Sequence, residues 1–300
     1  MVISEETKTI DNGRIQVKQW TKELPVSCYK DDLEQMEVPW HWQDAFELCI
    51  VTSGSILACV EADRFSLKTG DGFFINSGAL NSCSQLPDTT GPCTIQSIVF
   101  DPGIVDGTQD SIFYDNYISP IITNNALKGL ALTQEIAWHK EILRLGSSCW
   151  SSCLDSDEAI ESGVRDIISQ IAFLLSAHTA SEIRPISSKE ARDSDRIRVM
   201  LSFIDEHYRD DLNVAILSES AEISESEAMR CFHNMLGTTP IQYVKNYRIR
   251  KAAELLRVSD EKIVDIAIDC GFQDMSYFAK TFRESKGITP TDFRDKYKNR

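Results

Sequence analysis

Apolar positions recur along this chain with two different periods, and the change of period divides it. From about residue 13 to residue 30, and again from 46 to 100, β-branched and aromatic residues fall in short runs broken by glycine. That is the pattern of strands joined by tight turns. FELCIVTSGSILACV places Ser53-Gly54 between two such runs, RFSLKTGDGFFI repeats the arrangement around Gly70-Asp71-Gly72, and TIQSIVF ends at Asp101-Pro102-Gly103. Many short strands with glycine turns predict a β-sandwich or barrel.

Near residue 120 the spacing becomes helical. Leu127, Leu130, Ile136, Leu143 and Leu145 recur at roughly helical intervals, and Ile160, Val164, Ile167, Ile168, Ile171, Leu174 and Leu175 form a clear amphipathic stripe. Such stripes over 126–178 are candidates for a dimer contact. The polar stretch 181–193, with Pro185, reads as a linker, and from Ser194 onward everything reads as helices with short connections. The expected fold class is α+β: a barrel over about 13–105 with helices over about 120–180, then an all-helical domain over 194–300.

The last third matches itself without gaps at an offset of 50. Val214 falls on Val264, Ile216 on Ile266, Arg230 on Lys280, Phe232 on Phe282 and His233 on Arg283, and Gly237, Thr239 and Pro240 fall on Gly287, Thr289 and Pro290. Each copy predicts a short helix, a tight connection and a second helix ended by glycine, a helix-turn-helix over about 213–236 and again over 263–286. The second helix of each copy has two faces. Ala228, Cys231, Phe232 and Met235 form an inner stripe in the first copy, and Phe278, Thr281, Phe282 and Ser285 in the second. The outer faces carry Ser226, Met229, Arg230 and His233, and Ser276, Ala279, Lys280 and Arg283. Between the copies, Thr239 and Pro240 open a connecting helix of some 16 residues, which spans about 24 Å. Successive major-groove segments lie roughly 34 Å apart.

Charge first argues against nucleic acid and then, once divided, for it. The 300 residues carry 31 Lys/Arg and 46 Asp/Glu, a net of −15. Residues 1–193 hold 14 of the basic and 28 of the acidic residues, and residues 194–300 hold 17 and 18. The helical third is nearly neutral, and its bases cluster at Lys245–Lys251, Lys280–Lys286 and Arg294–Arg300. Ordinary soluble composition excludes collagen-like and wholly disordered classes, and no apolar run approaches the ~18–20 residues of a membrane span. Nine cysteines without a CxxC fit reduced thiols in the cytosol. Cys149 and Cys153, near His139, read as part of a serine-rich loop more readily than as a metal site.

On these residues, 194–300 resembles the DNA-binding domain of the AraC/XylS family of bacterial transcription regulators. IVDIAIDCGFQDMSYFAKTFRESKGITPTDFR is similar to the family signature over its whole length, with Gly271-Phe272, Tyr277-Phe278, Phe282-Arg283, Gly287 to Pro290 and Phe293-Arg294 all fitting. The resemblance implies base contacts from Ser226, Met229 and Arg230 in the first copy and from Met275, Ser276 and Lys280 in the second, with His233 and Arg283 beside them. Lys245, Arg248, Lys286, Arg294 and Lys296 are candidates for phosphate contacts. Glu225 and Glu227 depart from the pattern: they favour the helix dipole and repel phosphate.

The front half resembles a cupin barrel in the spacing of PWHWQDAFELCIVTSG and GDGFFINSGALN. Metal-binding cupins converge three histidines and a glutamate. Here His41 and Glu47 remain, but Gln43 and Asn81 stand where two histidines would, and amides are poor transition-metal ligands. The metal-dependent enzyme reading therefore loses its metal, and neither a cofactor nor catalysis is expected. His41, Trp42, Gln43, Glu47 and Asn81 read as polar tips at a barrel mouth for a small effector such as a sugar, and equally as satisfied structural groups. The family resemblance implies a cytoplasmic regulator, active as a homodimer on double-stranded DNA, with a small-molecule effector and RNA polymerase as further partners and no membrane. A cupin enzyme with an accessory DNA-binding domain, and a regulator that ignores small molecules, are the alternatives.

Overall fold

The computed structural model describes residues 9–11, 14–16, 25–34, 37–105, 111–124, 126–153, 160–179 and 188–298. They divide into two compact units, Met1–Ala191 and Arg192–Arg300.

The first unit is built on antiparallel strands. A small hairpin pairs β1 (Thr9–Asp11) with β2 (Arg14–Gln16). There follow β3 (Val26–Asp32), β4 (Val38–His41), β5 (Phe46–Ser53), β6 (Ser55–Val60), β7 (Asp63–Lys68), β8 (Gly72–Ile75), β9 (Asn81–Gln85), β10 (Thr94–Phe100) and, after the short helix α1 (Ser119–Ile122), β11 (Gly129–Leu132). They form a five-stranded sheet in the order β11-β8-β5-β10-β3 and a four-stranded sheet in the order β4-β9-β6-β7. Gly70-Asp71-Gly72 does not close a hairpin as its sequence suggests. It carries the chain from β7 in one sheet to β8 in the other.

Of the two helices α2 (Ala137–Ser152) and α3 (Ile160–Thr179), α2 lies on the outer face of the five-stranded sheet and α3 packs on α2 and α1, closing one core with it. The sheet is therefore buried on both sides, which explains why β5 reads as a nearly continuous apolar run. Phe46, Leu48 and Ile50 face the helices, and Cys49 and Val51 face the opposite sheet. Gly146 lets α2 lie close: a Cβ there would meet Leu48 Cδ2 at 2.6 Å.

This packing corrects three expectations. Val164, Ile168, Ile171 and Leu175 are fully buried in the core that α3 shares with α2 and α1, so that stripe serves the chain's own core and is not free for a dimer. Leu130 lies in β11, because α2 begins only at Ala137. The serine-rich segment around Cys149 is helix, with Cys149 and Cys153 both fully buried. All described cysteines are buried thiols outside any disulfide.

The second unit is all helical: α4 (Ser188–His207), α5 (Val214–Ser220), α6 (Glu225–Cys231), α7 (Pro240–Val258), α8 (Ile263–Asp269), α9 (Met275–Lys286) and α10 (Pro290–Tyr297). Residues 188–193 of the expected linker are thus helical, and its remainder lies outside the described residues. Side-chain caps set most of the helix starts. Asn213, Ser224, Thr239, Asp274 and Thr289 each accept a backbone N–H from the first turn. Gly237 and Gly287 end the second helices in left-handed conformation. In the first copy α6 continues as a π-helical turn, Phe232–Leu236, before Gly237, whereas α9 is α-helical throughout.

The repeat is not gapless in three dimensions. The first helices correspond at an offset of 49. Ile223 donates to the Ser218 carbonyl as Phe272 does to Ala267, and the left-handed residues are Glu222 and Gly271. The second helices correspond at 50, because Gln273 is one extra residue in the second turn. Gly271 carries its positive φ without strain, and a Cβ there would crowd the Tyr208 carbonyl at 2.9 Å. Glu222 holds a φ of 54° with a full side chain.

Local chemistry yields two expected outcomes. Glu222 is exposed, so Glu222→Gly removes left-handed strain without losing packing and raises stability by about 0.5–1 kcal/mol in denaturant unfolding. The second concerns the start of α2, where buried His139 accepts the Thr133 N–H on Nδ1 (3.2 Å) and Trp138 stacks on His178. Burial, and then the nearby His178, hold the His139 pKa below its ordinary value. A depressed histidine contributes stability that is full above the unfolded value of about 6.5 and is lost as pH falls below it. His139→Asn keeps an acceptor without titrating, so its unfolding midpoint falls less than the wild type's between about pH 7 and about pH 5.

Candidate functional site

The two second helices of the repeat are anchored alike. Ala228, Cys231 and Phe232 in the first copy, and Phe278, Thr281 and Phe282 in the second, are at most 3 % exposed. Met235 is half-buried, and Ser285 is exposed rather than part of the inner stripe, because α9 leaves the core in its last turn. Opposite these anchors the outer faces are open. Ser226, Met229, Arg230 and His233 are exposed on the first, and Ser276, Lys280 and Arg283 on the second. Met275 is half-buried and packs against the core of the second copy.

The electrostatics of the two faces differ. Lys280 lies 3.9 Å from Glu284 with three quarters of its side chain exposed, and Arg283 is also exposed. A shallow hollow lined by Ala279, Lys280, Arg283, Glu284 and Thr289 lies on this face. On the first face Arg230 is engaged. Its Nη2 donates to Glu227 Oε1 (3.0 Å) and lies 3.5 Å from Asp193 Oδ1. Arg196 Nη1 takes the same Glu227 oxygen at 2.7 Å and lies 3.4 Å from Asp193 Oδ1.

The phosphate candidates separate in the same way. Arg248 is partly engaged: its Nε donates to the Tyr208 carbonyl (2.7 Å) and its Nη2 to the Asp210 carbonyl (2.6 Å). It closes the chain that leaves α4, and desolvation holds its pKa below the ordinary arginine value. Arg294 donates Nη2 to the Glu261 carbonyl at 2.6 Å. Lys245 and Lys286 are half-exposed on α7 and at the end of α9. Lys296 is exposed, with its Nζ 4.7 Å from the Tyr297 ring centroid.

In the first unit the barrel residues do come together, but in the interior and not at a mouth. His41 and Glu47 have no exposure and Gln43 and Asn81 have 3 % each, while Trp42 is half-buried. Gln43 Nε2 donates to Glu47 Oε2 (2.7 Å) and the Cys49 thiol donates to Glu47 Oε1 (3.2 Å). His41 Nδ1 donates to the Pro39 carbonyl, and Asn81 Nδ2 reaches the His41 and Ala79 carbonyls. Both glutamate oxygens thus accept hydrogen bonds from neutral donors, an arrangement that does not suit a metal ligand. Among the described residues no group of three or more His, Cys, Asp or Glu could hold a metal ion.

Sequence reading missed the polar row that completes this interior. Ser27, Tyr29 and Asp31 of β3 and Ser97 of β10 are buried on the inner face, and register sets Tyr29, Ser97 and Cys49 side by side. The alternation of VSCYKDD was the available signal. Ser27 Oγ and Gln43 Oε1 are buried without a hydrogen-bond partner from the protein, whereas most buried polar atoms have one. Elsewhere, Cys28 and Cys149 hydrogen-bond to Cys153, which pushes both of them up in pKa and draws Cys153 down. Also missed was the Asp193–Arg196–Glu227 group. It carries no local sequence signal, because it joins α4 to α6 across 31 residues.

Comparison with known proteins agrees with this geometry. Residues 23–180 match the model of the AraC-like ligand binding domain, and residues 217–296 match a helix-turn-helix domain. YdeC of Bacillus subtilis, an uncharacterised HTH-type transcriptional regulator, is 27 % identical over 278 residues, covering 91 % of this chain and 93 % of its own. The HTH-type transcriptional activator RhaR of Mannheimia succiniciproducens is 23 % identical, covering 88 % and 89 %. An apo point variant of ToxT from Vibrio cholerae is similar in structure at 12 % identity, covering 93 % of this chain and all of its own, with a TM-score of 0.48. With a ligand-binding barrel in front and two helix-turn-helix copies behind, the chain belongs to the AraC family of transcriptional regulators.

Proposed function

We propose that this regulator reads DNA chiefly through α9 and secondarily through α6. Lys280 and Arg283, with Ser276 and Met275 beside them, face the bases and flanking phosphates, while Ser226, Met229, Arg230 and His233 form the second contact. Lys245, Lys286 and Lys296 meet phosphates, with Arg294 and Arg248 in part, because both arginines also hold backbone carbonyls. The observation that carries the reading is the pairing of a fully buried Phe232 or Phe282 with an open polar face in each copy. A recognition helix needs one face to anchor and another to reach base edges. The connecting helix α7, 19 residues long, spans about 28 Å, a length compatible with two neighbouring groove segments.

The effector enters between the two sheets. Glu47, Asn81, Gln43, His41 and the β3 row offer both acceptors and donors, as a hydroxylated small molecule such as a sugar requires. The effector acts by favouring one state of the regulator over another, within the limit of its differential affinity. The protein works by binding rather than catalysis, in the cytoplasm, and as an activator it would meet RNA polymerase. No helix among the described residues is long and apolar enough to cross a membrane.

The homodimer contact is an aromatic patch on the outside of the first unit. Phe113 is 57 % exposed and Phe173 52 %, and Tyr117 bridges them at 6.2 and 5.7 Å between ring centroids. With Ile112 it leaves contiguous apolar surface of the kind that marks association sites.

Two experiments test this reading. Selection of fragments from sheared genomic DNA at low and high salt should return a few discrete sites. On such a site Lys280→Ala lowers affinity by about 1–3 kcal/mol, and Lys286→Ala lowers the salt slope by about 1. Recovery of bulk DNA alone would sink the regulator assignment for these faces. In sedimentation, Phe113→Ser with Phe173→Ser converts a dimer to a monomer of unchanged thermal stability. A persisting dimer would place the interface elsewhere.

A further inference from the structure

Glu227 stands three residues after the N-cap Ser224, whose hydroxyl accepts the Glu227 N–H at 3.3 Å. In a capping box that glutamate turns back to the N-cap N–H. Here the carboxylate goes outward instead, to Arg196 and Arg230. The second carboxylate of the group, Asp193, belongs to a residue only 8 % exposed. It stands on α4, at the point where the chain enters the second unit. Two carboxylates and two guanidiniums therefore form one closed, neutral cluster against the first reading helix.

The cluster holds Arg230 by one nitrogen. Glu227 and Asp193 both approach Nη2, and no partner among the described residues takes Nε or Nη1. A guanidinium has five N–H groups in a rigid fork; Glu227 accepts one from Nη2, and Asp193 attracts Nη2 by charge at 3.5 Å, so four remain, including the second Nη2 hydrogen that a parallel donor pair needs, on a side chain that is 41 % exposed. Arg196 keeps Glu227 from swinging away, because it shares the same oxygen at the shorter distance. A long side chain that would otherwise sample many rotamers is thus fixed before it meets DNA, which reduces the ordering cost of binding.

We infer that Asp193 and Glu227 are positioning residues for base reading by Arg230. They aim its free N–H groups at a base edge, and the base best matched to a paired donor is guanine, through O6 and N7. The inference rests on the proposed DNA-reading role of α6. It gives the two acidic residues opposite effects on two kinds of binding. Their charge repels phosphate and so weakens non-specific binding, while their hold on Arg230 strengthens the specific kind.

The test uses the full-length protein on a selected genomic fragment, with a scrambled duplex as the non-specific reference and systematic base changes across the site. For Glu227→Gln and Asp193→Asn, non-specific affinity rises. The ratio of specific to non-specific affinity falls by about tenfold or more, as expected for the loss of one bidentate base contact, and the preference for guanine flattens at one position. Arg230→Lys, which keeps the charge and loses the fork, flattens the same position. Thermal melting of each variant separates this from unfolding, and Glu227→Gln, isosteric and partly exposed, is the variant expected to melt like the wild type. An unchanged or increased ratio in Glu227→Gln would overturn the positioning role, and so would an unchanged guanine preference in Arg230→Lys. If the wild type selects no discrete fragment, the DNA-reading assignment of α6 fails first and this inference falls with it.

Discussion

A helix can present a polar face to another molecule only if its opposite face is held in a core. In this protein that hold is the burial of one phenylalanine per repeat, Phe232 and Phe282, neither with any exposure. Each contributes about 1.5–3 kcal/mol by leaving water. Phe282 packs edge-on against Phe293 of α10, and Phe232 against Tyr243 of α7. The connecting and terminal helices therefore exist largely to house the two anchors. Caps at Ser224, Thr239, Asp274 and Thr289 and the left-handed Gly237 and Gly287 then fix where each helix begins and ends.

The barrel follows a different logic. Its five-stranded sheet has no solvent side, since helices cover one face and the second sheet the other. Polar side chains on β3, β5 and β10 consequently lie in the interior, where an unmatched donor or acceptor costs about 1–3 kcal/mol. A core built only for stability would avoid them. Their concentration on one part of the sheet's inner face, which Val51, Phe73 and Ile95 continue as apolar surface, is the feature that separates a binding domain from a plain structural barrel.

Much of this was legible in the sequence because it rests on periodicity and caps. Short β-branched and aromatic runs broken by glycine located β5, β6 and β10, and the i, i+3, i+4 pattern separated anchor from outer face in both reading helices. The errors have physical causes. A stripe such as Val164 to Leu175 announces burial but not the partner that buries it, and here the partners are the chain's own α2 and α1. The offset of 50 was carried by the well-matched second helices and concealed the one-residue difference at Gln273. For Arg248 composition records a charge and not the two carbonyls that share it. The cluster around Arg230 depends on α4 and α6 meeting in space, which no local pattern encodes.

The π-helical turn at Phe232–Leu236 has a consequence for orientation. A π-turn takes one more residue than an α-turn to come round, so His233 and Asn234 project at different angles from their counterparts Arg283 and Glu284. Two unlike readers joined in series along one chain describe a duplex with a head and a tail. A protomer that bound with both would lie along the chromosome in a single direction, as an arrow rather than a clamp.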